Sequence, residues 1–232
     1  RFTGRGTGII DTIHIIEVAR AVEVVSGSKS FKGGEEAAIK RWFAEYLQFL
    51  TMHQYGIDER GSKNNHGTWW VAQVAAFAHL VNDTAHLSYC RARFRDTLLA
   101  KQMAPNGSFP EELSRTKPYS YSIFNLEGMA TICWVLSTTS DNLWEFTLPD
   151  GRNMRKAVQF LYPYIVDKST WPYPKDVMHF DAFPGRQPFL LFAGIALGEP
   201  RYVETWKKLE ADSKNEEVQR SIPIRQPVLW VQ

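Results

Sequence analysis

Three clusters of polar and aromatic side chains have the composition needed to act on a charged or sugar-like ligand. The first lies at a predicted junction between a loop and a helix. Its residues are Asn64, Asn65, His66, Gly67, Thr68, Trp69 and Trp70. An N-cap, assigned to Asn65, explains one amide, and the two indoles then begin a core face. Capping does not explain His66 beside it, so we interpret the cluster as functional, with the indoles as candidate ligand contacts.

The second cluster joins cationic side chains to two phenols. Its residues are Glu111, Glu112, Leu113, Ser114, Arg115, Thr116, Lys117, Pro118, Tyr119, Ser120, Tyr121 and Ser122. A guanidinium group binds a carboxylate through two parallel hydrogen bonds. A tyrosine hydroxyl can act as an acid or a base. The alternative is a solvated charged loop that is anchored by its tyrosines.

The third cluster combines aromatic rings with one cation. Its residues are Trp171, Pro172, Tyr173, Pro174 and Lys175. Aromatic faces of this kind stack on sugar rings, but they also pack against neighbouring side chains. The sequence leaves both interpretations open.

Other familiar chemistries are excluded. The run from Gly4 to Gly8 lacks the third glycine of a dinucleotide-binding loop and follows no predicted strand. The chain has no nucleophile elbow and no paired-cysteine metal signature. His53, His66 and His79 are thirteen residues apart, which is not a ligand spacing on one helix. We therefore predict no metal and no organic cofactor.

Composition narrows the class of protein further. The chain has 232 residues, of which 44% are hydrophobic, and 27 basic residues against 25 acidic ones give a net charge of +2. This charge argues against nucleic acid as a partner, and no apolar run is long enough to span a membrane. Cys90 and Cys133 either form one bridge or are buried free thiols. The sequons at Asn82 and Asn106 favour secretion weakly.

The elements that must position these clusters are helices. All prolines lie at or after Pro105, so helices can run unbroken before it. Apolar residues recur at helical spacing, with Gly56 as a stop and Thr84 as an N-cap. The predicted helices cover Ile9–Val25, Glu35–Gln54, Thr68–Val81, Thr84–Met103, Ile123–Leu136, Arg152–Ile165, Gln187–Leu197 and Arg201–Glu210.

We predict loops between these helices and a two-part domain layout. The loops are Ile57–Asn64, Pro105–Pro118 and the irregular segment Val166–Pro184. No strand alternation is present, so the predicted fold class is all-α, with antiparallel helix pairs packed side by side. Residues 1–214 form the helical domain, and residues 215–232 form an extended tail packed on it.

The three clusters together resemble the alginate lyase superfamily of polysaccharide lyases. The similar segments are Asn64 to Trp69, Glu112 to Thr116 continuing through Tyr121 to Leu126, and Trp171 to Tyr173, with Gly8 to Thr12 similar to the start of a family helix. Their order and spacing agree over most of the chain. The resemblance implies an incomplete (α/α) toroid with a cleft lined by helix ends.

The resemblance also implies a reaction, the β-elimination of a uronate polymer without a cofactor. Asn65 matches the family's carboxylate-neutralising asparagine, His66 its active-site histidine, Arg115 its arginine and Tyr121 its catalytic tyrosine. The same clusters supply candidate substrate contacts. These are Asn64, Trp69, Trp70, Lys117, Tyr119, Trp171, Tyr173 and Lys175.

Two departures from the family pattern shape these expectations. The interval from Arg115 to Tyr121 is six residues, and Thr116 replaces a glycine, so glucuronan is at least as well supported as alginate. Family members also carry a long segment before the point that corresponds to Arg1. We therefore expect a companion chain that carries this segment. A lectin-like subunit that binds acidic glycans without cleaving them is the alternative function.

Overall fold

The computed structural model describes residues 4–31 and 33–231, and these residues are helical with long connecting loops. Within these ranges the only β-type pairing is an isolated bridge between Thr147 and Asn153. The predicted all-α class is therefore confirmed. None of the described helices combines the length and the apolar character that a bilayer crossing requires. Arg1 and Gln232 lie outside the described residues.

The described α-helices follow one another with short connections in the first half of the chain. They are α1 (Ile15–Val25), α2 (Gly33–Met52), α3 (Gln54–Gly61), α4 (Asn65–Val81), α5 (Thr84–Arg93), α6 (Pro110–Leu113), α7 (Pro118–Leu136), α8 (Met154–Val166), α9 (Pro188–Ala196), α10 (Pro200–Lys208) and α11 (Glu216–Arg220). Shorter 3-10 turns occupy Gly6–Thr12, Lys168–Thr170, Phe180–Ala182 and Pro227–Leu229, and a π-helix occupies Phe94–Gln102.

Helices α4 and α7 form the centre of the core. Helix α4 packs against α1, α2, α3, α5 and α7, and α7 also packs against α8 and α9. Both helices are buried on nearly every face, which is the behaviour of a helix that is apolar all round. Gly128 permits the close approach, because a Cβ there would lie 2.9 Å from Cγ2 of Thr68 and 3.2 Å from the Trp69 ring.

One predicted loop is instead a helix. The segment Ile57–Asn64 was expected to be a polar loop after a stop at Gly56, but α3 continues through most of it. The Nδ1 atom of His53 accepts a hydrogen bond from the Tyr55 amide and caps α3. Gly56 lies within α3. The position requires a glycine, because a Cβ there would lie 2.1 Å from the Leu50 carbonyl oxygen. The glycine therefore allows a tight corner between α2 and α3.

Other boundaries also differ from the predictions. The predicted helix Ile9–Val25 begins as a 3-10 turn. Helix α5 is capped by Asp83 and not by Thr84. It continues directly into the π-helix. The loop Pro105–Pro118 contains α6, and α7 begins at Pro118, five residues before Ile123.

The segment 215–232 is not wholly extended. It contains α11 and a 3-10 turn, and side chains anchor it to the helices. The carboxylate of Glu217 pairs with Nζ of Lys117 at 2.8 Å. The Trp134 indole donates to the carbonyl oxygen of Trp230 at 2.8 Å.

The two cysteines are free thiols, and both are buried. Burial raises the pKa of Cys90 to about 12 and also raises the pKa of Cys133. Of the two alternatives left by the sequence, the structure therefore shows the buried free thiols.

Candidate active site

The N-terminal ends of α4 and α7 meet at a cleft of about 250 Å³. Its lining residues are Arg5, Thr7, Ile10, Asp11, Asn65, His66, Arg115, Tyr121, Phe124 and Arg220. All four residues predicted to be catalytic are among them, although they come from two segments about 55 residues apart in sequence. The fold therefore brings an amide, an imidazole, a guanidinium and a phenol into one small space.

Asn64 is the residue that caps α4, which corrects the assignment of the cap to Asn65. Its side-chain oxygen accepts a hydrogen bond from the backbone amide of His66 at 3.2 Å. Asn65 is the first residue of the helix, and it is 2% exposed. Its carboxamide is therefore not used for capping, and Asn65 lines the cleft.

Glu112, from the short helix α6, holds Asn65 in place. One carboxylate oxygen accepts the backbone amide of Asn65 at 2.5 Å, and Nδ2 lies 3.0 and 2.9 Å from the two oxygens. These nearly equal distances fit one amide hydrogen shared between both oxygens. A carboxamide nitrogen carries two hydrogens, so the second is available to a ligand.

Arg115 is fixed by the same carboxylate. Its Nη1 donates to Oε2 of Glu112 at 2.9 Å, and its guanidinium carbon lies 3.8 Å from the centre of the Tyr121 ring. A guanidinium has five N–H donors, so most of them stay free for an anionic ligand. Burial raises the pKa of Glu112, while Arg115 and Asn65 oppose that rise by favouring the carboxylate.

His66 is paired with a second buried acid. Its Nδ1 lies 2.7 Å from Oε1 of Glu59, a residue of α3 that is 1% exposed. The imidazole is itself 19% exposed and lines the cleft. Helix α3, absent from the sequence prediction, is therefore what places this acid beside the site.

Tyr121 is held by the way α7 begins. Pro118 occupies the first turn, where a missing N–H costs nothing. The buried carboxylate of Asp176 accepts the backbone amides of Tyr119 and Ser120 at 2.8 and 3.0 Å. Two free N–H groups of the helix end are thereby satisfied, and the turn that carries Tyr121 is fixed.

Three predicted substrate contacts belong to the core instead. Trp69 and Trp70 are 0% and 1% exposed, and their indoles donate to the carbonyl oxygens of Phe124 and Leu50. Tyr119 is also fully buried and donates to a backbone carbonyl oxygen. The prediction that these rings contact a substrate directly is therefore wrong, because α4 and α7 are buried on nearly every face.

Five further candidates lie away from the cleft lining. Lys117 is buried and paired with Glu217, and Asn64 is engaged as the α4 cap. Trp171 is buried, with its ring centre 5.0 Å from that of Tyr119. Tyr173 is half-buried and Lys175 is exposed, so both of these side chains face solvent at least in part.

Several groups that shape the site are not among the residues predicted from the sequence. Glu59 and Glu112 hold the polar side chains, and Arg5 and Arg220 line the cleft as additional cations. Arg220 comes from α11, with its Nε 4.0 Å from Oδ1 of Asp11. Of these residues, only Glu112 could have been identified from the sequence, since it lies within the second cluster.

An all-helical chain with an amide, an imidazole, a phenol and several guanidinium groups in one cleft is suited to binding an acidic ligand. More specifically, the chain belongs to the alginate lyase family, because that family's model matches residues 1–171. Comparison with curated protein sequences gives no match.

Two solved structures share the fold. An alginate lyase from Bacteroides ovatus superposes with a TM-score of 0.80 and 28% identity, covering 95% of this chain and 58% of that chain. Alginate lyase A1-III from Sphingomonas species A1 gives a TM-score of 0.58 and 15% identity, covering 78% and 52%. The predicted incomplete helical toroid is thus confirmed, and the chain spans less than two thirds of either neighbour.

Proposed function

We propose that this protein is a polysaccharide lyase that cleaves a uronate-containing polymer by β-elimination. The observation that carries the proposal is the convergence of Asn65, His66, Arg115 and Tyr121 on one cleft. Membership of the alginate lyase family supports a polysaccharide as the substrate. Each of the four side chains has a place in the chemistry of elimination.

The first requirement is to neutralise the substrate carboxylate. The proton on C5 of a uronate is weakly acidic, and its removal places negative charge on the adjacent carboxylate. Arg115 retains free guanidinium donors, and Asn65 retains one amide hydrogen. Donors that are already fixed by Glu112 stabilise developing charge without reorganising, as in an oxyanion hole.

The second requirement is proton transfer. A base takes the C5 proton, the C–H electron pair forms the C4–C5 double bond, and the C4–O bond breaks. The departing glycosidic oxygen then takes a proton from an acid. We assign both steps to Tyr121, which lines the cleft with its ring against the Arg115 guanidinium, since a positioned tyrosine hydroxyl can act as an acid or a base. His66 supports the reaction from the same cleft.

The polymer that we propose is glucuronan, with alginate as the alternative. Thr116 and the six-residue interval to Tyr121 depart from the alginate-specific pattern. Arg5 and Arg220 on the cleft wall suit both polymers equally, since each carries a carboxylate on every sugar.

Product analysis tests the proposal. The protein is incubated with glucuronan, polymannuronate and polyguluronate, and products are followed by the ultraviolet absorbance of the new double bond and by mass. Elimination yields fragments whose masses sum to that of the parent, whereas hydrolysis adds one water for each cleavage. We expect unsaturated fragments from at least one polymer. Binding without cleavage would favour the lectin-like alternative, and hydrolysed products would refute the proposal.

We also propose a tightly held companion polypeptide. Val18, Val24 and Val25 on α1 and Trp42 on α2 are exposed apolar side chains close to the N-terminal end of the chain. Phe43, the residue next to Trp42, is by contrast buried within the chain itself. The structural neighbours have additional length that could cover this surface. Native and denaturing masses of the protein from its source test this, and equal masses would contradict it.

Secretion is our proposed location, since the substrate is a large polymer. Asn82 and Asn106, the two sequon residues, are exposed on turns where a glycan fits. The intact mass before and after glycosidase treatment tests whether either residue carries one.

A further inference from the structure

The described part of the chain contains three histidines that contact a carboxylate through Nδ1. The pairs are Glu59 with His66 at 2.7 Å, Glu23 with His79 at 2.6 Å, and Asp83 with His86 at 2.7 Å. Their carboxylate side chains are 1%, 19% and 31% exposed, respectively. The buried pair is thus the one whose imidazole lines the cleft.

A buried carboxylate dictates where the imidazole carries its proton. An ionised carboxylate only accepts hydrogen bonds, and a neutral imidazole has one N–H. For a neutral ring beside a carboxylate, the 2.7 Å contact favours the tautomer with that hydrogen on Nδ1 of His66. Nε2 is left with a lone pair, and it makes no hydrogen bond to any described residue. The low dielectric around Glu59 strengthens this preference relative to an exposed pair.

If its role were purely structural, the Glu59–His66 pair would serve only to hold α3 against α4. Two observations argue against it. The second oxygen of Glu59 is buried and has no hydrogen-bond partner among the described residues, so an apolar side chain would serve packing better. The corner is also held independently, because Gly67 packs so closely that a Cβ would lie 2.2 Å from the Ser62 carbonyl oxygen, and Arg93 donates to the Arg60 carbonyl oxygen.

We propose that Glu59 is a positioning residue that fixes His66 in the Nδ1–H tautomer, so that Nε2 faces the cleft as a hydrogen-bond acceptor. The part that His66 then plays in turnover rests on the proposed lyase function. The tautomer itself does not, because it is a property of the protein without substrate.

The test compares the same substitution at two glutamates whose histidine partners lie near opposite ends of α4. Glu59→Leu removes the acceptor from His66, and Glu23→Leu removes the acceptor from His79, which lies outside the cleft. Long-range proton–nitrogen NMR spectra of histidine-labelled protein at mildly alkaline pH report the tautomer of each ring, and His66→Asn assigns the His66 signals. We expect Nδ1–H at His66 in the wild type and in Glu23→Leu. In Glu59→Leu, His66 should shift towards Nε2–H, with a folded spectrum elsewhere.

Kinetics complete the test. We expect Glu59→Leu to lower kcat about 10- to 100-fold, by analogy with the loss of a partner that orients a metal-bound histidine. KM should change little, and Glu23→Leu should match the wild type. An Nε2–H tautomer at His66 in the wild type, or unchanged kcat in Glu59→Leu, would overturn the proposal. If no polymer is cleaved, the proposed function fails, but the tautomer measurement still decides whether Glu59 positions His66.

Discussion

Replacing Glu112 with leucine should weaken the whole fold as well as the site. This carboxylate accepts the backbone amide and the carboxamide of Asn65, and it pairs with Arg115. Glu112→Leu keeps a side chain of comparable size and removes every acceptor. The two donors of Asn65 cannot turn to water, because that residue is 2% exposed.

The magnitude follows from those donors. Each buried donor that loses its acceptor costs about 1–3 kcal/mol, which gives a range of about 2–6 kcal/mol for the two. Arg115 adds little, because its side chain is 28% exposed and water replaces the lost partner. Removing a buried carboxyl and adding apolar surface offsets part of the loss. We therefore expect the free energy of unfolding to fall by about 2–4 kcal/mol.

Urea denaturation of Glu112→Leu and Glu111→Leu measures this effect. Glu111 is the adjacent residue on α6, and its side chain is exposed. The control should therefore stay within about 0.5 kcal/mol of the wild type. The slope of the transition should not change, since the same surface is exposed on unfolding. If both variants unfold at the same urea concentration, Glu112 does not hold Asn65 as the structure indicates.

Two further predictions concern stability. Burial raises the pKa of Glu127 to about 8, so the folded protein keeps a proton that the unfolded chain loses. The stability that this group contributes therefore falls as pH rises from the ordinary carboxyl range towards 8, and Glu127→Gln should flatten the pH profile of the unfolding free energy by about one to a few kcal/mol. Parallel profiles for variant and wild type would contradict this. Gly56→Ala should cost more than about 2 kcal/mol in thermal or urea unfolding, because its Cβ would overlap the Leu50 carbonyl oxygen. Gly61→Ala, in the same helix with open space around its Cβ, should be neutral or stabilising, and equal losses in both variants would refute the packing argument.

Local sequence patterns were sufficient to predict the longer helices, although not α3 or α6, and to place the polar clusters at helix ends. The apolar spacing of α4 and α7 is visible over several turns, and polar groups gather at the N-terminal end of each of these helices. Neighbouring helices of an antiparallel array bring their ends to one rim, so Asn65 and Tyr121 could be expected to lie together.

Long-range contacts account for what the sequence could not show. The aromatic residues Trp69, Trp70 and Tyr119 have the same composition whether they face a ligand or the core. Only the burial of α4 and α7 on nearly every face distinguishes the two. Glu59 lay in a segment with few apolar residues, and its helix depends on the His53 cap and on a tight corner at Gly56.

The measurement that tests the central claim most directly is the elimination rate of Tyr121→Phe. The substitution keeps the ring against Arg115 and removes only the hydroxyl, so the fold should persist. We expect the rate of unsaturated product formation on the preferred polymer to fall about 10²- to 10⁴-fold, the range for loss of general acid–base catalysis. Tyr89→Phe, at an exposed tyrosine outside the cleft, should match the wild type. Wild-type turnover by Tyr121→Phe would remove this tyrosine from the reaction and contradict the account.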